Sequence, residues 1–570
     1  MKRAAVWGWL LAISGVVCLP RAGAYAQAPA WQTALAVGEG GFSRVEATAT
    51  DASGSLYVAG SFSGTVRVGT TTLRSAGQYD IFVAKWNPAT GTFSWAQRAG
   101  GSDNDNVGGL AVNGSNVYVT GYYYSSPMIV GGVSLSRYGG TGPDVFVAKF
   151  TDQGSFGQVA WAQRAGGTNV DFAEGIAVSG TSVYVVGSVA STTAAFGSTS
   201  LTGSGADIFV AKLTDAGSTG SFVWAQRTGG ASGDAARAVV ASGTSVYVVG
   251  GFDSPSIRFG STTLTGTGAD EFAFKAFVAK LTDAGASASF TWAKRCGNPG
   301  PASAWTVAVS GAAVYVGGTF NQTSTTFGAT TLTNAGPAST NDVFITKYQD
   351  LGADASQGWA QPISGPADEG LAALAVRGTE LYVAGRFGGS ARVGSTTLTG
   401  AGVADVFVAR LTDLGSTSSF AWAQPAGGTG DNDARSLALA GSRLYVGGHV
   451  TPPASFGSLQ LTDPATTKVG FLASLTDPVL GVASASLAAG LRVWPNPAQT
   501  DVRVLAPTLP GTAPATLSLL DTQGRVVRTH TASATDAGWR PLSVAGLAPG
   551  LYYLRVQWGA AQTGCSLVVE

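Results

Sequence analysis

The feature that most restricts this chain is a phrase close to Trp-Ala-Gln-Arg that returns at Trp95, Trp161, Trp224, Trp292, Trp359 and Trp422, with a degenerate first copy at Trp31. The spacings are 64, 66, 63, 68, 67 and 63 residues, and so steady a period marks one structural unit repeated along the chain. Two further phrases keep the same interval. Val-Tyr-Val or Leu-Tyr-Val gives Tyr57, Tyr118, Tyr184, Tyr247, Tyr315, Tyr382 and Tyr445, and a phrase near Phe-Val-Ala-Lys gives Phe82, Phe146, Phe209, Phe277, Phe344, Phe407 and Phe471. Each of the three markers counts seven.

Within a unit the order is an apolar run such as Gly175-Ile176-Ala177-Val178, a turn Ser179-Gly180-Thr181, and then runs over 182–187, 207–213 and 221–227. These read as four strands, rich in valine and aromatic residues and bounded by turn formers. Short four-stranded sheets buried on both faces by their neighbours are what a β-propeller requires. An open solenoid would need polar caps at both ends, and none is visible. The first copy supplies only a Trp strand and the seventh supplies only the other three, so the strand near 30–38 is expected to pair beside Phe471–Leu475 and close a ring. The expected fold class is all-β, a seven-bladed β-propeller over 27–476 followed by a small Ig-like β-sandwich. Between the second and third strands a phrase such as Phe196-Gly197-Ser198-Thr199 predicts a small hairpin in each unit.

Composition narrows the function. With 33 basic and 33 acidic residues the formal charge is zero and only 12% of residues are charged, which excludes nucleic-acid binding driven by bulk positive charge. Glycine is abundant at 81 residues, yet 45% of residues are hydrophobic and 10% aromatic, too apolar for a disordered chain. Three cysteines and two histidines leave little material for a zinc site, a disulfide framework or a histidine-based catalytic centre.

Lys2 and Arg3, an apolar run from Ala4 to Val17 and then Ala24-Tyr25-Ala26 predict a secretory signal over 1–26. That run is too short to span a bilayer, so no membrane span is expected in the mature chain. Removing 1–26 leaves 30 basic and 33 acidic side chains, a net charge of −3.

With units such as Asp207-Ile208-Phe209-Val210-Ala211-Lys212, then Trp224-Ala225-Gln226 and the Gly229-Gly230 pair, residues 30–476 resemble the seven-bladed β-propeller repeat family (SBBP-type) of bacterial surface and secreted proteins. The repeat ends at Asp477, and 477–489, rich in Ala, Ser, Gly and Val, reads as a linker. From 490 to 570, alternating apolar runs separated by Gly and Pro turns predict a small antiparallel sandwich. Pro495-Asn496-Pro497, the Asp521-Thr522-Gln523-Gly524 turn and Gly550-Leu551-Tyr552 are similar to the C-terminal sorting domain, type A, of the type IX secretion system of Bacteroidetes. Gly564-Cys565 departs from the lysine common there. The resemblance implies that the type IX secretion machinery is a partner and that the protein is secreted or displayed on the outer cell surface, via the periplasm.

Acidic residues recur at the start of the third strand, as Asp80, Asp144, Asp207, Asp342 and Asp405, and in the loop after the Trp strand, as Asp103, Asp105, Asp171, Asp234, Asp368, Asp431 and Asp433. Aspartate in a turn accepts backbone N–H bonds, and recurrence in unit after unit fits that structural role. The functional alternative for the second set is a ligand or calcium rim, since carboxylates are hard oxygen ligands, though none completes an EF-hand loop. No other cofactor is expected. Lys85, Lys149, Lys212, Lys280, Lys347 and Arg410, with Arg98, Arg164, Arg227 and Arg295, read as solvated strand ends. His449 is expected to be structural, and Cys296 a small buried apolar residue. The function expected is a non-catalytic binding or adhesion module for a glycan or surface protein. The competing class is a polysaccharide-acting hydrolase or lyase using paired carboxylates, of which nothing in the sequence picks out a pair.

Overall fold

The computed structural model describes residues 28–266, 274–463, 468–481, 492–505, 515–521, 526–532, 539–558 and 561–570. The predicted signal 1–26, most of the predicted linker and Gly524 lie outside the described residues. The fold is all-β, with one short 3-10 turn at Pro478–Gly481 among the described residues.

One unit shows how the sequence builds the rest. Asp171–Ser179, Ser182–Val189, Asp207–Asp215 and Gly220–Thr228 form an antiparallel sheet in chain order. The second and third strands are buried almost throughout because each sheet is covered on both faces, which is why they read as continuous apolar runs rather than alternating ones. Gly180 closes the first hairpin at φ +60°, in the left-handed region where a side chain is strained.

The inner strands Ser43–Thr50, Asp105–Asn113, Asp171–Ser179, Asp234–Ser242, Ala302–Ser310, Glu369–Arg377 and Asp433–Ala440 each lie against the next, and the last lies against the first. The arrangement is therefore propeller-like. Trp31–Val37 pairs antiparallel with Val469–Thr476, with Ala36 opposite Phe471, so the expected joining of the two ends of the repeat is present.

The phase of the first copy needs correction. Thr33 stands opposite Ser474, as Trp224 stands opposite Lys212, whereas Trp31 stands opposite Leu475, as Phe222 stands opposite Leu213. Trp31 is thus not the repeat tryptophan; Thr33 occupies that position. The small hairpins are present between second and third strands, but they reach further than expected. In three units, at Met128–Val130, Thr193–Phe196 and Ser390–Val393, the first hairpin strand also pairs with the fourth strand of the preceding unit, with Ile129 opposite Gly100, Ala195 opposite Gly166 and Ile363 opposite Val393. Each such hairpin covers an outer edge that would otherwise be open.

The C-terminal part forms a three-stranded and a four-stranded antiparallel sheet around Val502, Val504, Leu517, Leu519, Leu554, Val556 and Leu567. Within it Asn496 Oδ1, between Pro495 and Pro497, accepts the Val568 N–H at 2.9 Å and so ties the first strand to the last. Gly550 opens the long strand Gly550–Trp558 that also contains Leu551, and the Tyr552 hydroxyl donates to the Ala548 carbonyl at 2.8 Å.

Candidate functional site

Three sets of polar side chains recur or stand out, and they do different work. The first binds unit to unit. Asp215 ends a third strand and accepts the Tyr118 hydroxyl at 2.6 Å, the Lys149 ammonium at 2.7 Å and the Trp161 indole N–H at 3.0 Å, all from the preceding unit. The same three-donor clasp closes on Asp152, Asp283, Asp350, Asp413 and Asp477, with Arg410 replacing lysine at the last. The strand-end cations expected to be solvated are therefore largely buried and paired. Sequence spacing hid this because each partner lies about one whole unit further along the chain. On the fourth strands, Arg98 pairs with Asp80 at 2.8 Å and Arg227 with Asp207 at 2.6 Å.

The second set includes part of the expected rim. Asp105, Asp171 and Asp234 are buried and anchor loops: Asp171, for example, accepts the Gly167 N–H at 2.8 Å and the Ser191 hydroxyl at 2.7 Å. Each faces the acid that starts the third strand of the preceding unit. A Cβ added to Gly166 would sit 2.6 Å from Asp144 Oδ1 and 2.9 Å from Asp171 Oδ2, so the two carboxyl groups flank that glycine. Asp144 is pushed up to about 7, first by burial and then by Asp171, while Asp105 is raised to about 6 by burial. Glu369, the counterpart facing Asp342, is pushed up to about 9 by burial and then by Asp342. In such a pair each carboxyl disfavours the charged form of the other. At the next junction Asn432 replaces one acid and donates its amide to Asp405 Oδ1 at 3.0 Å.

The remaining candidates scatter. Asp103 is half-buried beside Ser125, Asp368 is exposed and accepts the Asn341 N–H at 2.9 Å, and Asp431 pairs with Lys468. Asp433 follows the loop-anchoring position by one residue, so strand alternation turns it to the opposite side. The seven aspartates thus do not make one rim, and among the described residues no group of three or more His, Cys, Asp or Glu is placed to hold a metal ion.

The third set was missed by sequence reasoning, and it lies where the repeat fails. The residues one and three places after each loop-anchoring position are Arg44 and Glu46, Asn106 and Gly108, Phe172 and Glu174, Ala235 and Arg237, Ser303 and Trp305, Gly370 and Ala372, and Asp433 and Arg435. They keep no common residue type from unit to unit, yet several of them meet. Arg435 lies 3.1 Å from Asp433 and 3.6 Å from Glu46, Glu46 lies 3.0 Å from Arg44, and Arg237 lies 2.9 Å from Glu174. The Arg237 guanidinium also sits 5.0 Å from the centroid of the Trp305 ring, and Tyr122 and Phe172 meet edge to face at 4.5 Å. A cavity of about 290 Å³ opens here, lined by Trp305, Thr319, Asn341, Asp368, Arg386 and Arg435 among others. Trp305 is 38% exposed, unusual for so large an apolar ring. His449 borders this cluster with both ring nitrogens buried and unpartnered. Burial, then Arg435 and Lys468, push its pKa down to about 3, so the imidazole is neutral at physiological pH and too weak a base for general-base work there. Cys296 is fully buried, and burial raises its thiol to about 12.

Residues 492–570 match the family described as the secretion system C-terminal sorting domain. The tail is thus a type IX sorting signal, and the protein is exported to the cell surface or secreted. No helix among the described residues is long and apolar enough to cross a membrane. No curated protein matches the chain. Similar solved structures include a Trypanosoma rangeli sialidase in complex with sialic acid, 9% identical with a TM-score of 0.32, covering 95% of this chain and 83% of that one. A mutant of NanB sialidase from Streptococcus pneumoniae is 9% identical with a TM-score of 0.32, over 79% of this chain and 71% of that one. PorZ of Porphyromonas gingivalis, described as an essential bacterial surface component of the type IX secretion system, is 11% identical with a TM-score of 0.14, over 95% of this chain and all of that one, 100%. Likenesses of this size carry no argument about the chemistry of this chain.

Proposed function

We propose that residues 27–476 are a single seven-bladed β-propeller, joined by a 477–489 linker to an Ig-like sorting domain over 490–570, and that the exported protein is a non-catalytic binding module. Its ligand, a glycan or a surface protein, meets the inner-strand cluster around Trp305. The observation that supports this most is the place where repetition breaks. Near-identical units need no variety to fold, so inward residues that follow no repeat are free to serve a ligand. An exposed indole beside Arg386 and Asp368 offers a stacking face with polar groups around it, the combination a sugar ring or a peptide side chain requires. The acid pairs and the clasps, by contrast, are absorbed in holding units together.

The test is a glycan array screened with the purified protein, run beside an assay for release of reducing ends from bacterial and plant polysaccharides. Binding weakened about tenfold by Trp305→Ala or Arg386→Ala, a change of about 1.4 kcal/mol, is the expected result. Turnover abolished by replacing one pair of carboxylates would favour the polysaccharide-acting enzyme instead.

A further inference from the structure

Six of the interfaces between successive units carry an internal carboxylate gripped by a tyrosine hydroxyl, a cation and an indole. The closing interface keeps only the tyrosine. Tyr445 holds the same register position as Tyr118 and Tyr184, but its strand neighbour is Ser474 where the others have lysine or arginine, and Thr33 stands where they have tryptophan. The carboxylate is missing too. Counting three residues on from the third-strand cation leads to Asp152, Asp215 or Asp283 elsewhere, and to Pro88 from Lys85.

The consequences are visible. The buried Tyr445 hydroxyl has no hydrogen-bond partner, while Thr33 and Ser474 satisfy each other at 2.8 Å. Small side chains and a shorter turn leave a cavity of about 410 Å³ lined by Tyr445, Arg443, Asn87, Ser53 and Ser55. Arg443 is exposed and reaches across the interface to the Pro88 carbonyl at 3.3 Å, so a guanidinium lines the same cavity as the idle hydroxyl. The Asp51 carboxylate, in the Asp51–Ser55 turn, is occupied by the Ser53 and Ser55 backbone N–H groups, each at 2.9 Å, and by the Ser53 hydroxyl at 2.6 Å.

We propose that the closing interface is a binding site for a carboxylate-bearing ligand, which supplies from outside the group that the other interfaces supply from within. The ligand carboxylate accepts from Tyr445 Oη and from the Arg443 guanidinium, with the Ser55 hydroxyl and the Asn87 amide around it. A carboxylate on a sugar acid and one at a peptide C-terminus present the same group, and the cavity is large enough for either.

The experiment uses the full exported chain. Its melting temperature is followed by scanning calorimetry with sodium acetate, sodium glucuronate or an N-acetylated dipeptide, each against sodium chloride at equal ionic strength, and affinities are measured by titration calorimetry. Binding by at least one of these, weakened about tenfold in Tyr445→Phe and in Arg443→Gln, is expected. Tyr445→Phe should melt no lower than the unaltered chain without ligand, because the hydroxyl it removes is unpaired. Pro88→Asp, which restores an internal carboxylate, should abolish binding. Which arm responds best distinguishes a sugar acid from a peptide terminus. Carboxylate binding that survives all three substitutions, or no binding in any arm, would overturn the proposal. Neither result bears on Trp305, so the two readings stand or fall separately.

Discussion

Replacing Asp215 by alanine tests whether the clasps hold the ring together. The change strands three donors at once. The side chain of Lys149 is only 4% exposed, so its ammonium would be left in a poorly solvated site without a counter-charge, and breaking a buried pair from one side costs about 3–5 kcal/mol. The Tyr118 hydroxyl and the Trp161 N–H lose their acceptor as well, each worth about 1 kcal/mol, although water entering the hole left by the carboxylate will return part of that. A loss of about 5 kcal/mol is expected for Asp215→Ala, and about 1 kcal/mol for Tyr118→Phe, which removes one bond and leaves the ion pair. Urea unfolding followed by tryptophan fluorescence reads both, with calorimetry to check that the ring melts as one unit. Asp215→Ala costing less than about 1 kcal/mol, the range of exposed pairs, would refute the reasoning. The pH dependence gives a second reading. Burial raises the Asp215 pKa, but the bonds from Lys149, Tyr118 and Trp161 outweigh it and the net shift is downward. The clasp contribution is therefore complete above the ordinary aspartate range and is lost as pH falls through the lowered value.

The acid pairs work in the opposite direction. With Asp144 raised to about 7 and Glu369 to about 9, their contribution is complete below the ordinary carboxyl range and lost as pH rises through those values. The melting temperature should fall from about pH 5 to about pH 9, and a flat profile would count against the raised carboxyl groups. Gly166→Ala should be among the most damaging single changes, because its Cβ would press within 2.6 Å of Asp144 Oδ1 at a φ of +132°; a melting temperature close to that of the unaltered chain would contradict the close approach. Deleting residues 490–570 should leave the protein in the periplasm of its native host, detectable by fractionation, and surface delivery of the truncated chain would show that another segment carries the address. Cys296 should resist alkylation until the protein is unfolded, as read by mass spectrometry of the labelled peptide.

Much of the scaffold was legible because three strand phrases recur with Val, Tyr, Phe and Trp at fixed spacing, and because Pro495-Asn496-Pro497 and Gly550-Leu551-Tyr552 sit in recognisable strand contexts. The clasps were not legible. Lys149 and Asp215 are 66 residues apart, and nothing local to either says that a third-strand cation is turned toward the next unit rather than toward water. The phase of the first copy is hidden because Trp31 is the only tryptophan in its strand, while the register of pairing places Thr33 in the clasp position. The Trp305 cluster is illegible for a more general reason: repetition marks what the fold needs, and these residues do not repeat. Aligning the units against one another and reading the unmatched columns would have found Arg44, Glu174, Arg237, Trp305 and Arg435.

The pairing of Trp31–Val37 with Val469–Thr476 has a consequence for the order of assembly. Thr33 and Ser474 are 441 positions apart, and closing a free chain of that length would cost about 5 kcal/mol in loop entropy. If the six intervening sheets form first, each from neighbours close in sequence, they bring the two ends together and that cost is already spent in small local steps. The strand at 31–37 must then wait, unpaired, until residue 476 has been made, and its amide hydrogens would be the last to become protected from exchange during folding. Moving the chain ends to the tight turn Ser179-Gly180-Thr181, with 28 and 476 joined, would make the pairing of Trp31–Val37 with Val469–Thr476 local and pass the wait to Asp171–Ser179 and Ser182–Val189, which would then be the last strands to pair.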